Sequence, residues 1–115
     1  MNKTIEIGGK SWDFASDGAL PIIYRQLFPK RSFFTDIQKI EKEPELLMDF
    51  AFAMSFNADA KRTGTNEIRW LKTVSKDPYD LIYNHGEELA DLIGADMNVE
   101  ANSKSESNED KLEKK

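Results

Sequence analysis

Apolar residues change their spacing once along this chain, and the change divides it into two kinds of structure. At the start they alternate with polar residues: Ile5 and Ile7, then Trp12 and Phe14 beyond Gly8-Gly9. A period of two predicts strands. Two adjacent glycines supply the positive backbone angles of a tight turn, so residues 3–14 read as a β-hairpin. Ser16-Asp17-Gly18 breaks the second strand. Beyond it, apolar residues recur at three- and four-residue intervals, which predicts helices.

The first helix is expected at 20–28, with Leu20, Ile23, Tyr24 and Leu27 on one face. Pro21 suits a first turn, where an N–H has no partner in any case, and Pro29 ends the helix. A second helix is expected at 32–41, with Phe33, Phe34, Ile37 and Ile40 at helical spacing. The third, at 44–57, is again opened by a proline. Leu46, Leu47, Met48, Phe50, Phe52, Met54 and Phe56 make it apolar almost all round, the pattern of a helix buried on most sides. A polar, glycine-containing loop follows at 58–65. Asn66 is placed to cap a fourth helix at 66–76, with Ile68, Leu71 and Val74 inward. Asp77-Pro78 opens a fifth, whose stripe is Ile82, His85, Leu89, Leu92 and Ile93 and whose stop is Gly94. Gly86 weakens that helix by about 1 kcal/mol relative to Ala, which marks a place for a bend.

The expected fold is therefore mainly α with a small N-terminal β-hairpin. It is a compact bundle of about five short helices, in one domain over residues 1–95. Residues 96–115 contain no aromatic and only isolated aliphatic side chains. Such a segment buries too little apolar surface to offset the entropy of ordering it, so a disordered polar tail is expected there.

The aromatic residues are many for such a domain. Neighbours on a helix point about 100° apart, so pairs such as Phe33-Phe34 and Trp70-Leu71 are hard to bury together. Phe50 reads as core. Phe34, Phe52, Phe56 and Trp70 are the candidate partner-binding residues, since a surplus apolar face on a protein usually marks a partner or self-association surface. A weak homo-oligomer is one form that surface can take.

Charge narrows the partners. The formal net charge is −5, and the longest basic clusters, Lys30-Arg31 and Lys61-Arg62, are pairs expected in solvated loops. Nucleic-acid binding needs clustered Lys and Arg, so none is expected. No apolar run approaches the ~18 residues of a membrane span, and the start has no apolar stretch suited to a signal peptide. The absence of cysteine excludes a disulfide framework and thiolate metal sites, and fits a reducing cytoplasm.

Catalytic chemistry finds no foothold. His85 and Glu88 share a helix face, yet two ligands do not make a metal site. Gly8-Gly9 lacks the Lys-Ser/Thr and helix start of a phosphate loop, and no serine stands in a nucleophile elbow. No catalytic residue, cofactor or metal is expected, and the chain does not read as an enzyme.

The order of hairpin, polar elbow and proline-opened helix, with Ala19-Leu20-Pro21 leading into Tyr24-Arg25 and Leu27-Phe28, resembles the small tail assembly chaperones of long-tailed siphophages of the Gram-positive type. The likeness continues through Asp36-Ile37-Gln38-Lys39-Ile40, the Ala- and Met-rich run 46–56, and Glu67-Ile68-Arg69-Trp70-Leu71, covering roughly residues 3–93. The chain departs from the family at Pro29-Lys30-Arg31, where members often carry a glycine and an acidic residue. The resemblance implies a non-virion protein of the host cytoplasm. Many copies coat the tape measure protein and keep it soluble until polymerising tail tube subunits displace them. It also implies a longer form made by ribosomal frameshifting, through which the tail tube protein is reached. Glu113-Lys114-Lys115 is a place where A-rich lysine codons would permit that slip. The alternatives are a small phage structural or connector protein, which forms a ring of fixed stoichiometry, and a small helical regulator.

Overall fold

A computed structural model describes residues 1–64 and 66–94 of the chain. Strands β1 (Asn2–Ile7) and β2 (Lys10–Ala15) form an antiparallel hairpin, with Ile5 opposite Trp12 and Ile7 opposite Lys10. Gly8 and Gly9 make the two-residue turn, at φ of +61° and +82°. Gly8 is constrained twice, because a Cβ there would stand 2.8 Å from the carbonyl oxygen of Val74. The alternation predicted from the sequence holds: Ile5, Ile7, Trp12 and Phe14 are buried on one face.

The elbow is fastened at both sides. Asp17 Oδ1 accepts from the backbone N–H of Ala19 and from Asn57 Nδ2, which also donates to the carbonyl of Ala15. The bond from Asn57 holds the exposed Asp17 carboxyl below its ordinary pKa. Helix α1 (Leu20–Leu27) then follows, with Pro21 in its first turn. Next come α2 (Phe33–Ile37), α3 (Leu46–Ala58), α4 (Ala60–Thr63), α5 (Glu67–Val74) and α6 (Asp80–Ile93).

Helix α3 is the centre of the molecule. It packs on β2, α1, α4, α5 and α6, which is why it is apolar on nearly every side. Leu47, Phe50, Ala51, Ala53 and Met54 are wholly enclosed. The core is one cluster that joins the inner face of the hairpin to all the long helices.

Three expectations need correction. The loop expected at 58–65 contains a helical turn, α4, because Asp59 Oδ1 accepts from the N–H groups of Lys61 and Arg62. The second helix is shorter than expected: after Ile37 the chain continues in turns closed by Lys39 N–H to Asp36 and Ile40 N–H to Ile37. The fifth expected helix begins at Asp80 rather than at Pro78 behind an Asp77 cap. Asp77 caps the preceding turn through Tyr79 N–H, and Pro78 stands in that turn. Gly94 stops α6 in the left-handed conformation, as expected. Gly86 produces no break in the helix. It lies against Leu47 instead. The tail expected at 96–115 lies outside the described residues.

Candidate functional site

The four candidate aromatics are not brought together on one surface. Trp70 is 1% exposed and Phe52 2%, Phe56 is half-buried, and Phe34 is 66% exposed. The expectation of an exposed aromatic face is therefore corrected for Trp70 and Phe52. Trp70 meets Trp12 edge-on at 5.9 Å and Phe14 at 6.4 Å, and it packs on Phe52 at 5.7 Å. The hairpin thus takes up the aromatic surface that looked surplus when the helices were counted alone. Phe34 is displaced to solvent while its neighbour Phe33 enters the core beside Tyr24 and Phe50. Phe50 is core, as expected.

The orientation of α5 decides what the surface carries. The sequence suggested Ile68, Leu71 and Val74 as its inward row, but the helix turns Glu67, Trp70, Leu71 and Val74 inward instead. An indole buries more apolar area than an isoleucine, so Trp70 wins the core position and Ile68 is left 66% exposed. Asn66 Oδ1 caps the first turn by accepting from Arg69 N–H, as expected.

Burying Trp70 carries Glu67 inward with it, one turn earlier on the same row, and a polar knot receives it. Arg31, expected in a solvated loop, is its centre. Its Nε donates to Asp36 Oδ2 at 2.9 Å, and one terminal nitrogen reaches Asp49 Oδ2 at 2.7 Å and the Tyr24 hydroxyl oxygen at 2.5 Å. Tyr24 in turn donates to Asp36 Oδ2 at 2.5 Å. The guanidinium also lies over the rings of Phe28 and Tyr24, at 4.7 and 5.4 Å. Burial opposes the charge of Arg31, but its bonds to Asp36 and Asp49 outweigh burial and raise its pKa. Burial likewise opposes the Asp36 carboxylate, and the bonds from Tyr24 and Arg31 hold its pKa down. Tyr24 is pushed up, first by burial and then by its bond to Asp36.

Glu67 completes the knot from α5. Its Oε2 is buried with no hydrogen-bond donor in reach. Burial first, then the adjacent Asp49 carboxylate, push its pKa up to about 8. In its protonated form Glu67 can donate a hydrogen bond to Asp49. One signal for this knot was present in the sequence. Asp49 stands within the apolar run 46–56, where a carboxylate needs a cation to be tolerated.

No group of three or more metal-ligating side chains converges among the described residues. His85 Nδ1 lies 3.7 Å from Glu88 Oε1, and the other oxygen of Glu88 pairs with Lys3 of β1 at 2.9 Å. The Lys3 bond comes first among the causes that lower the Glu88 pKa. This group ties α6 to the hairpin. No helix among the described residues is long and apolar enough to cross a membrane.

The outer surface of α5 is the other feature. Two shallow grooves flank Lys72. One, of about 290 Å³, has Met48, Leu71 and Leu81 at its floor and Lys76, Asp77 and Pro78 at its rim. The other lies along Ile68, Arg69 and Thr73. Nearby in sequence, Tyr79 and Tyr83 stack at 5.4 Å and both rings are exposed. Comparison of the chain with family models, with curated proteins and with solved structures finds no match.

Proposed function

We propose that this chain is a tail assembly chaperone of a long-tailed bacteriophage. It coats the tape measure protein in the host cytoplasm, keeps it soluble, and is absent from the finished virion. One observation carries the reading: the order of hairpin, Ser16-Asp17-Gly18 elbow and proline-opened helix, with Ala19-Leu20-Pro21, Tyr24-Arg25 and Leu27-Phe28 in it. Strands β1 and β2 and helix α1 follow one another in this order along the chain.

Physical chemistry supports the reading. A long helical client with apolar stripes aggregates unless those stripes are covered. A small acidic module with exposed apolar side chains, here Ile22, Phe34, Ile68, Tyr79 and Tyr83, can cover them and keep the complex soluble through its net charge. Each copy binds modestly, so growing tail tube can displace it, and many copies on one client hold the coat together until then.

Co-expression with a tape measure protein, sought as the long reading frame next to this one, tests the reading. The client is expected in the soluble fraction with this chain bound, and in aggregates without it. A client equally insoluble in both cases would end the proposal.

A further inference from the structure

The outer surface of α5 concentrates positive charge that the molecule does not use. Arg69 and Lys72 stand one turn apart and Lys76 follows the end of the helix. Among the described residues, none of the three has a carboxylate within ion-pair distance. Two acids stand nearby, Asp77 at the rim of the same groove and Asp80 on α6, and neither pairs with these cations. Asp77 Oδ1 accepts from Tyr79 N–H, and Asp80 is bonded to Ser75 and Asn84. A patch of three unpaired cations is unexpected on a protein with a net charge of −5. It lies beside Ile68, which the rotation of α5 leaves exposed, and beside the half-buried Leu71 of α5 and Met48 of α3, with Leu81 beneath.

From this juxtaposition we infer that the α5 surface is a docking site for one amphipathic helix whose apolar stripe is flanked by acidic residues. Its apolar side chains enter the grooves on either side of Lys72, and its carboxylates meet Arg69, Lys72 and Lys76. The groove of about 290 Å³ suits a few inserted side chains rather than an enclosed small molecule. Helix-in-groove recognition of this kind is read out by anchors at i, i+3, i+4 and i+7. Charge complementarity fixes the choice of partner: a basic-flanked helix would meet the cations with like charge. Identifying the occupant with the tape measure client rests on the function proposed above. The chemistry of the site does not.

The test uses the full chain, labelled with nitrogen-15, and two synthetic helical peptides of about 18 residues. Both carry the same leucine stripe, one with glutamate flanks and the other with lysine flanks. The glutamate peptide is expected to shift the amides of Ile68, Leu71, Lys72, Lys76 and Leu81, and to bind at least about tenfold more tightly than the lysine peptide. Its affinity should fall as salt is raised, because the ion pairs lie at the surface. The double variant Lys72→Glu, Lys76→Glu alters exposed side chains only, so it should melt like the parent and reverse the preference. Equal binding of the two peptides, shifts centred on Phe34 or the hairpin, or no shifts at millimolar peptide would each overturn the inference. The two proposals fail separately. Binding at α5 with a tape measure protein that stays insoluble removes the chaperone function alone. A solubilised client together with peptide shifts elsewhere removes the α5 site alone.

Discussion

Glu67 couples the charge of the protein to its stability. Its pKa rises from 4.5 to about 8 in the folded chain, so the folded state holds a proton that the unfolded state releases. Stability attributable to this group is therefore greatest at low pH, declines as pH rises above the unfolded value, and is lost once pH passes the folded value. Melting temperatures between pH 6 and pH 9 should fall for the parent and stay flatter for Glu67→Gln, which keeps the shape and removes the titration. Parallel curves for the two proteins would show that Glu67 does not hold the proton. Gly8 is the second residue whose surroundings specify it. Gly8→Ala combines a positive φ with a methyl group 2.8 Å from a backbone oxygen, and should cost roughly 2–3 kcal/mol. Gly9→Ala shares the positive φ but meets open space, and should cost about 1 kcal/mol. Chemical denaturation of the two variants measures the difference, and equal losses would mean that the contact with Val74 does not restrain the turn.

Among the elements, α5 separates what the sequence discloses from what it does not. The hairpin, its turn, the prolines that open helices, the Asn66 cap and the Gly94 stop were all legible, because each depends on a few adjacent residues. The rotation of α5 was not. Rows 68-71-74 and 67-70-71-74 are both helical, and only the demand of Trp12 and Phe14 for a partner selects the second. Trp70 and Phe52 were misplaced for that reason, and Phe34 stands in solvent because its neighbour Phe33 takes the inward position beside Tyr24 and Phe50. The polar knot was hidden for a related reason: its members come from α1, the following loop, α2, α3 and α5, and no local spacing connects them. Gly86 looked like a weak point in α6, but the helix is continuous there and a methyl group would lie 3.7 Å from Leu47 Cδ1, an ordinary contact. Gly86→Ala should therefore stabilise the protein by up to about 1 kcal/mol, seen as a raised melting temperature. A lowered one would mean that Leu47 cannot accommodate the methyl group.

On the scale of the whole molecule, a small acidic fold buries most of its aromatics in one core yet leaves Phe34, Tyr79 and Tyr83 exposed and an apolar and basic strip along α5. The proposed coating of a long helical client would account for both facts, since a coating module has to stay folded alone and still bind repeatedly. Coating also has a property that a connector ring lacks, namely that the number of bound copies follows the length of the client. The mass of the co-purified complex, measured for the tape measure protein and for a truncation to half its length, tests this most directly. The account predicts several copies on the full client and about half as many on the truncated one, in proportion to the length covered. A fixed number of copies on both, or a single copy, would contradict it.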